Sequence, residues 1–200
     1  MSVSQLRIGL LALAATIVLS GCAGSKEMLV PVRGPVPQGV DFTGEWRMQE
    51  DFAAMQEAIA SAVRRTDGID ERQLLKNIMS GSSTSRRSRD VGGLVHVFLE
   101  NAARLRVTQT DAGLFMAFDR SVVEEYRFGE ARIVNKGGAV AQRVSGWDGE
   151  TYVIETLDQE GGMKLSERYH LEGEMLNREI VLRSKELEEV RLTQSFARTN

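Results

Sequence analysis

Residues 165–182, LSERYHLEGEMLNREIVL, decide the fold. Two runs of alternating side chains flank Gly173 and Glu174, a dipeptide suited to a two-residue hairpin turn. Such a turn places Tyr169 opposite Arg178 on antiparallel strands. The sequence therefore predicts a β-hairpin of fixed register, and with it which side chains share a face.

The same alternating pattern extends to both sides of this hairpin. Short segments of alternating or β-branched residues run from Arg104 to the end of the chain. They are separated by turn signals at Asp111-Ala112-Gly113, Gly129-Glu130, Gly137-Gly138, Asp148-Gly149, Gly161-Gly162 and Gly173-Glu174. This spacing predicts nine antiparallel strands, and Phe42 to Met48 adds a tenth. Because an open sheet leaves two unpaired edges, we expect a mainly β, up-and-down barrel of about 8–10 strands.

Residues 50–103, between the first predicted strand and the others, have a helical pattern. Apolar residues recur at helical spacing at Phe52, Met55, Ile59 and Val63, and again at Leu74, Leu75, Ile78 and Met79. This predicts helices over residues 51–65 and 70–79. Residues 91–102 suit a third helix, although residues 95–99 would also suit a strand. A helical insertion after the first strand is therefore expected.

The segment that opens the predicted barrel, Phe42-Thr43-Gly44-Glu45-Trp46, contains a Gly-x-Trp motif. It resembles the start of the first strand in the lipocalin and fatty-acid-binding (calycin) superfamily. The helical insertion is similar to that of fatty-acid-binding proteins, although it is longer, and residues 146–149 have no counterpart. The resemblance implies a lipocalin-like domain over residues 42–200 that binds a small amphipathic or lipid-like ligand. It also implies that Arg198 packs across Trp46 and closes one barrel end.

Polar residues are predicted to point into the otherwise apolar lumen of this barrel. Period-two alternation puts Glu167 and Tyr169 on the inner face, and the hairpin register makes Arg178 a diagonal neighbour of Glu167. Since an unpaired buried charge costs several kcal/mol, these groups need partners. Either they pair with one another in a filled core, or they bind the polar head of a ligand. The candidate ligand-binding residues are Glu124, Tyr126, Glu167, Tyr169, Arg178 and Arg198.

The N-terminus indicates where the protein is located. A basic start and the apolar run from Ile8 to Leu19 predict a secretory signal peptide over residues 1–21, because a membrane span needs about 20 apolar residues. The run ends Leu19-Ser20-Gly21-Cys22, which resembles the bacterial lipobox; the alternative is an incidental cysteine at an ordinary cleavage site. The resemblance implies acyl chains on Cys22 and, through Ala23, a periplasm-facing position on the bacterial outer membrane. Residues 22–41, which hold all three prolines, are expected to form a flexible tether.

Composition narrows the classes of function. The 200 residues are 42% hydrophobic and 26% charged, with a net charge of -3, so one globular domain without a nucleic-acid partner is expected. His96, His170 and the single cysteine do not assemble a zinc set or a catalytic dyad. We therefore expect that the protein is not an enzyme and that it holds no metal and no cofactor beyond the covalent lipid on Cys22.

Two functions follow as expectations. The first is a lipid-anchored envelope lipoprotein whose barrel binds a small amphipathic or lipid-like ligand. The alternative is a non-enzymatic interaction or scaffold module with a filled barrel, whose helical insertion contacts an envelope protein. The basic loop Ser80 to Arg89 is either a solvated loop or a contact for anionic headgroups.

Overall fold

A computed structural model describes residues 27–66, 98–119, 122–136, 139–158, 163–184 and 187–199. In chain order the elements are β1 Gly44–Met48, α1 Phe52–Thr66, β2 Arg104–Gln109, β3 Gly113–Phe118, β4 Val122–Arg127, β5 Glu130–Lys136, β6 Ala139–Asp148, β7 Thr151–Asp158, β8 Lys164–Glu172, β9 Met175–Ser184 and β10 Leu187–Thr199. The helix confirms the one expected over 51–65. In this part of the chain no helix is long and apolar enough to cross a bilayer.

The strands form a ten-stranded antiparallel sheet in the order β4-β3-β2-β1-β10-β9-β8-β7-β6-β5. The predicted mainly β, up-and-down architecture is confirmed, with one difference. β4 and β5 are consecutive in sequence yet do not pair, so the barrel is nearly closed and keeps a seam between them. At the seam two hydrogen bonds of Ser145 on β6 replace strand pairing. Ser145 Oγ donates to the Arg127 carbonyl at 2.9 Å, and Gly129 N donates to the Ser145 carbonyl at 2.8 Å.

The hairpin of β8 and β9 has the predicted register. Tyr169 lies opposite Arg178, and Glu167 lies opposite Ile180. Gly173 adopts a φ of 61°, the left-handed conformation that a two-residue hairpin turn favours. Alternate residues of both strands therefore face the barrel interior, as the period-two pattern predicted.

The insertion enters the fold in two described pieces. Asp51 caps α1, because its Oδ1 accepts a hydrogen bond from Ala54 N at 2.7 Å, and the apolar stripe of α1 is buried at Met55 and Ile59. The helix predicted over 70–79 and the basic loop 80–89 lie outside the described residues. Of the stretch 91–102, residues 91–97 lie outside the described residues, Phe98 is helical, and residues 99–102 are neither helix nor strand. Glu100 and Asn101 bond to side chains of the barrel interior.

Part of the predicted tether packs on the barrel. We call residues 29–34 the strap. Leu29 is buried against Val144 and Leu157 on the outer wall, and its N and O atoms bond to the Gln142 side chain at 3.0 and 3.4 Å. A flexible tether is therefore the wrong description of the strap, because these contacts fix its backbone to the barrel.

Glycines allow the strap to approach β6 closely. Gly34 N donates to the Trp147 carbonyl at 3.0 Å. A β-carbon at Gly34 would overlap with that carbonyl, and one at Gly146 would overlap with the Val32 carbonyl. Backbone therefore packs directly on backbone along this contact.

Candidate functional site

A buried ion pair lies inside the barrel. The side chains of Arg178 and Glu167 are 1% and 2% exposed. Arg178 Nε donates to Glu167 Oε2 at 3.0 Å, and Arg178 Nη2 contacts the same oxygen. The Tyr169 hydroxyl donates to it at 3.0 Å as well. The pair is therefore formed between neighbouring strands, and its carboxylate accepts from two residues.

The insertion supplies further partners. Arg178 Nη1 donates to the Glu100 carbonyl at 2.7 Å and to Gln194 Oε1 at 2.9 Å. Gln194 Nε2 in turn donates to Asn101 Oδ1 at 2.6 Å. We call residues 98–101 the plug, because these bonds hold that segment against charged groups of the barrel interior.

A second ion cluster involves the plug on the β4–β6 side. Glu124 accepts from Lys136 Nζ at 2.8 Å and from Arg143 Nη1 at 3.1 Å. Lys136 Nζ also bonds to the Glu100 carboxylate, and Arg143 Nε donates to Thr156 Oγ1 at 3.2 Å. Glu100 therefore links the two clusters through its carboxylate and its carbonyl. Together they contain three cations and three carboxylates.

Aromatic rings cover the two guanidinium groups. Arg143 Cζ lies 5.3 Å from the centre of the Phe98 ring and 5.4 Å from that of Tyr126. Arg178 Cζ lies 5.5 Å from the Tyr169 ring centre. Desolvated cation–π contacts of this kind are worth about 2 kcal/mol. They favour both cations in a lumen that would otherwise penalise charge.

The pairing keeps the cluster ionised. Burial raises the pKa of Glu124, but the hydrogen bond from Lys136 and the charge of Arg143 outweigh it, so the pKa lies below its ordinary value. Burial lowers the pKa of Lys136, but the bonds to Glu100 and Glu124 outweigh it, so that pKa is raised. Burial raises the pKa of Tyr126 and Tyr169, which keeps both phenols neutral.

The structure places most of the candidate residues together but not all. Glu124, Tyr126, Glu167, Tyr169 and Arg178 belong to the lumen clusters or cover them. Arg198 does not join them, and its contact with a ligand head group stays a prediction. Arg198 is exposed, and it lies four residues further along β10 than Gln194, the residue that bonds to Arg178.

Arg198 instead takes the role expected beside Trp46. Its Cζ lies 4.3 Å from the Trp46 ring centre, and Trp46 and Arg198 are register partners on β1 and β10. Arg198 also donates to the Thr43 carbonyl. Cys22, the predicted lipidation site, lies outside the described residues.

Sequence reasoning missed three charged members of the clusters. Arg143 had a detectable signal, because alternation along β6 puts residues 141, 143, 145 and 147 on one face and Trp147 belongs inside. Lys136 had a similar signal on β5. Glu100 had none, since the plug has no regular periodicity that would orient its side chain.

Trp147, in the stretch without a family counterpart, is a packing residue. It is fully buried, with ring centres 5.2 Å from Phe42, 5.2 Å from Tyr152 and 5.9 Å from Phe128. The stretch thus contributes an aromatic cluster to the barrel interior.

Two clefts of the described residues lie away from the lumen charges, one of them beside Trp46. A cleft of about 240 Å³ on the outer face, lined by residues such as Lys164, Arg168 and Arg191, includes none of the lumen charges. Among the described residues no three His, Cys, Asp or Glu side chains are grouped to hold a metal ion.

Comparisons with known proteins find likenesses of structure. No protein-family model matches the chain, and no curated protein matches it significantly. A heat-soluble SAHS protein from Ramazzottius varieornatus is similar at TM-score 0.47 and 10% identity, over 79% of this chain and 95% of that one. Lipid binding protein 8 of Caenorhabditis elegans gives 0.46 and 11%, over 83% and 100%. Zebrafish ileal bile acid-binding protein complexed with cholic acid gives 0.46 and 11%, over 79% and 98%. These likenesses concern the barrel architecture alone.

Proposed function

We propose that this chain is a non-enzymatic bacterial lipoprotein, anchored through acylated Cys22, whose barrel binds a small amphipathic anion in its lumen. The observation that carries the binding proposal is the origin of the third carboxylate. Within the lumen clusters the strands supply Lys136, Arg143 and Arg178 but only Glu124 and Glu167 as counter-charges. The missing negative charge comes from the insertion.

The plug has the chemistry of an anionic head group. Glu100 presents a carboxylate to Lys136 and a carbonyl oxygen to Arg178, while Phe98 covers Arg143 with an apolar ring. A fatty-acid carboxylate offers acceptor oxygens of the same charge, followed by apolar chain. Exchange of one for the other leaves no buried cation unpaired, which avoids the penalty of an isolated charge. Ligand binding would therefore displace the plug.

The binding test uses a fluorescent fatty acid, cis-parinaric acid, titrated into the purified chain. Glu100→Gln removes the competing charge while leaving the backbone carbonyl, so we expect tighter binding than in the unchanged protein. Glu174→Gln, in the exposed β8–β9 turn, is the matched control and should bind as the unchanged protein does. Equal affinity for all three proteins would contradict displacement of the plug.

A second candidate function is favoured by the completeness of the same clusters. Arg178 and Arg143 are partnered without any ligand. In that case the barrel is a filled scaffold and the protein acts by contacting an envelope protein. Failure of every variant to bind the probe, together with organic extraction that releases no lipid, would select this function.

Anchoring is tested separately from binding. Mass spectrometry of the membrane-extracted protein should find acyl chains on Cys22, because three such chains hold a protein on a membrane firmly where one binds marginally. Cys22→Ala should leave a folded protein in the soluble fraction. An unmodified cysteine in the native protein would contradict the lipoprotein assignment without affecting the lumen experiment.

A further inference from the structure

The outer wall of β5 and β6 is uncharged from Ala131 to Asn135 and from Val140 to Gly146, and Asp148 at the end of β6 is its one charged residue. The outward positions are Ala131, Ile133 and Asn135 on β5 and Val140, Gln142 and Val144 on β6. By contrast, the outward positions of β8 and β9 include Lys164, Arg168, Glu179 and Arg183. In a chain that is 26% charged, an uncharged stretch of this length across two paired strands favours a surface with a partner.

The strap extends this wall into one apolar surface. Ile133 is the register partner of Gln142, the residue that holds Leu29. Ile133 is 64% exposed, and Met28 and Val30, which flank Leu29, are 75% and 77% exposed. We call Met28, Val30, Ile133 and Val140 the outer patch. Its members lie around one fixed point, the contact of Leu29 with the wall.

Covalent geometry ties this patch to the membrane anchor. Seven Cα–Cα steps separate Cys22 from Leu29. At no more than about 3.6 Å per residue they span at most about 25 Å. Because the strap holds Leu29 on this wall, the anchor leaves the barrel on the side of the outer patch.

We propose that the outer patch is the surface through which the barrel lies on the lipid bilayer. This proposal rests on the proposed anchoring at Cys22. Exposed Arg33 on the strap has no ion pair among the described residues, and it is available to anionic headgroups at the edge of the patch. The uncharged stretch of the wall meets the interfacial region without burying an unpaired charge, and Asp148 beyond it is paired with Arg168.

The test places a reporter at one position at a time on the full chain. With Cys22 acylated, an introduced cysteine is the only free thiol, since the sequence has one cysteine. Ile133→Cys, Val140→Cys and Met28→Cys are labelled with an environment-sensitive dye. Phe115→Cys on β3 is the matched control, being an exposed apolar position outside the patch. Each protein is reconstituted in vesicles of phosphatidylethanolamine and phosphatidylglycerol that contain doxyl-labelled lipid.

We expect quenching at the patch positions to exceed that at Phe115→Cys by about twofold or more. Equal quenching at all positions would overturn the proposal. Concentration-dependent dimers with a buried but unquenched patch would overturn it too, in favour of a second copy of the chain. Absence of acyl chains by mass spectrometry would refute the anchoring alone. In that case the experiment is repeated with Cys22→Ser, so that the introduced cysteine is again the only thiol. Equal quenching at the patch positions and at Phe115→Cys would then overturn the proposal.

Discussion

Arg178 reaches diagonally across β8 and β9 to Glu167, and two of its nitrogens share one carboxylate oxygen. The relationship explains how a charged residue can occupy each strand inside an apolar barrel. For such a buried pair, the loss of stability on removing one partner exceeds the net contribution of the pair to stability.

Removing one partner should destabilise the fold strongly. Glu167→Gln or Arg178→Met leaves a buried survivor, so the free energy of unfolding should fall by about 3–5 kcal/mol. The double variant should lose less than the sum of the two. Urea unfolding measures both. Asp148→Asn is the control, because its ion pair with Arg168 is solvent-exposed and is worth less than about 1 kcal/mol. A single variant no worse than this control would contradict the prediction.

Trp46 should contribute more than its cation partner. The ring is 1% exposed, and its Nε1 donates to the Phe42 carbonyl at 2.9 Å. Trp46→Ala should lower the free energy of unfolding by about 3–5 kcal/mol through the cavity it leaves. Arg198→Met keeps a side chain over the ring and should cost about 1 kcal/mol, as expected for an exposed cation–π contact. Equal losses in chemical unfolding would show that the charge, rather than packing, dominates.

The sequence predicted the hairpins better than it predicted what fills the barrel. A two-residue turn at Gly173 leaves one register for β8 and β9, so the Tyr169–Arg178 pairing follows from local rules. The position of Glu100 depends on a long insertion folding back, for which no periodicity exists. The contacts of Glu100 with Lys136 and Arg178 were therefore not predictable.

The strap was misjudged for a different reason. The three prolines of residues 22–41 predict a flexible tether, yet Gly34 and Gly146 are sites where two backbones touch. Composition does not distinguish a glycine that loosens the chain from one that admits a close neighbour. Only the position of Val32 above Gly146 resolves the two cases.

A β-carbon at Gly146 should detach the strap. In Gly146→Ala the methyl group overlaps with the Val32 carbonyl, so amide exchange at Leu29 and Gly34 should accelerate while the lumen strands stay protected. Gly149→Ala is the control: its φ of 61° is unfavourable for alanine, but nothing lies within 4 Å of the new methyl. It should lower stability without exposing the strap. Unchanged exchange at Leu29 in Gly146→Ala would show that β6 yields instead.

Stability should fall in acid through Glu124. Its folded pKa lies below the unfolded value of about 4.3, so its contribution is complete above that pH and is lost as the pH falls through the folded pKa. Glu124→Gln should flatten the fall in unfolding free energy measured between neutral and acid pH. Glu189→Gln serves for comparison, because the Arg183 hydrogen bond also lowers the pKa of Glu189, but in solvent. A larger change in the pH dependence of stability for Glu189→Gln than for Glu124→Gln would contradict the prediction that Glu124 is responsible.

The strap has a mechanical consequence. It runs along β6 with Leu29, its end nearest the anchor, held at Gln142 and its far end held at Trp147. If Cys22 carries the proposed anchor, tension from the membrane loads the contacts of the strap one after another rather than all together. Once released, residues 29–41 extend to at most about 47 Å, so force reaches β1 only after they are drawn out. Force applied through the strap can thus be absorbed while the barrel strands keep their register.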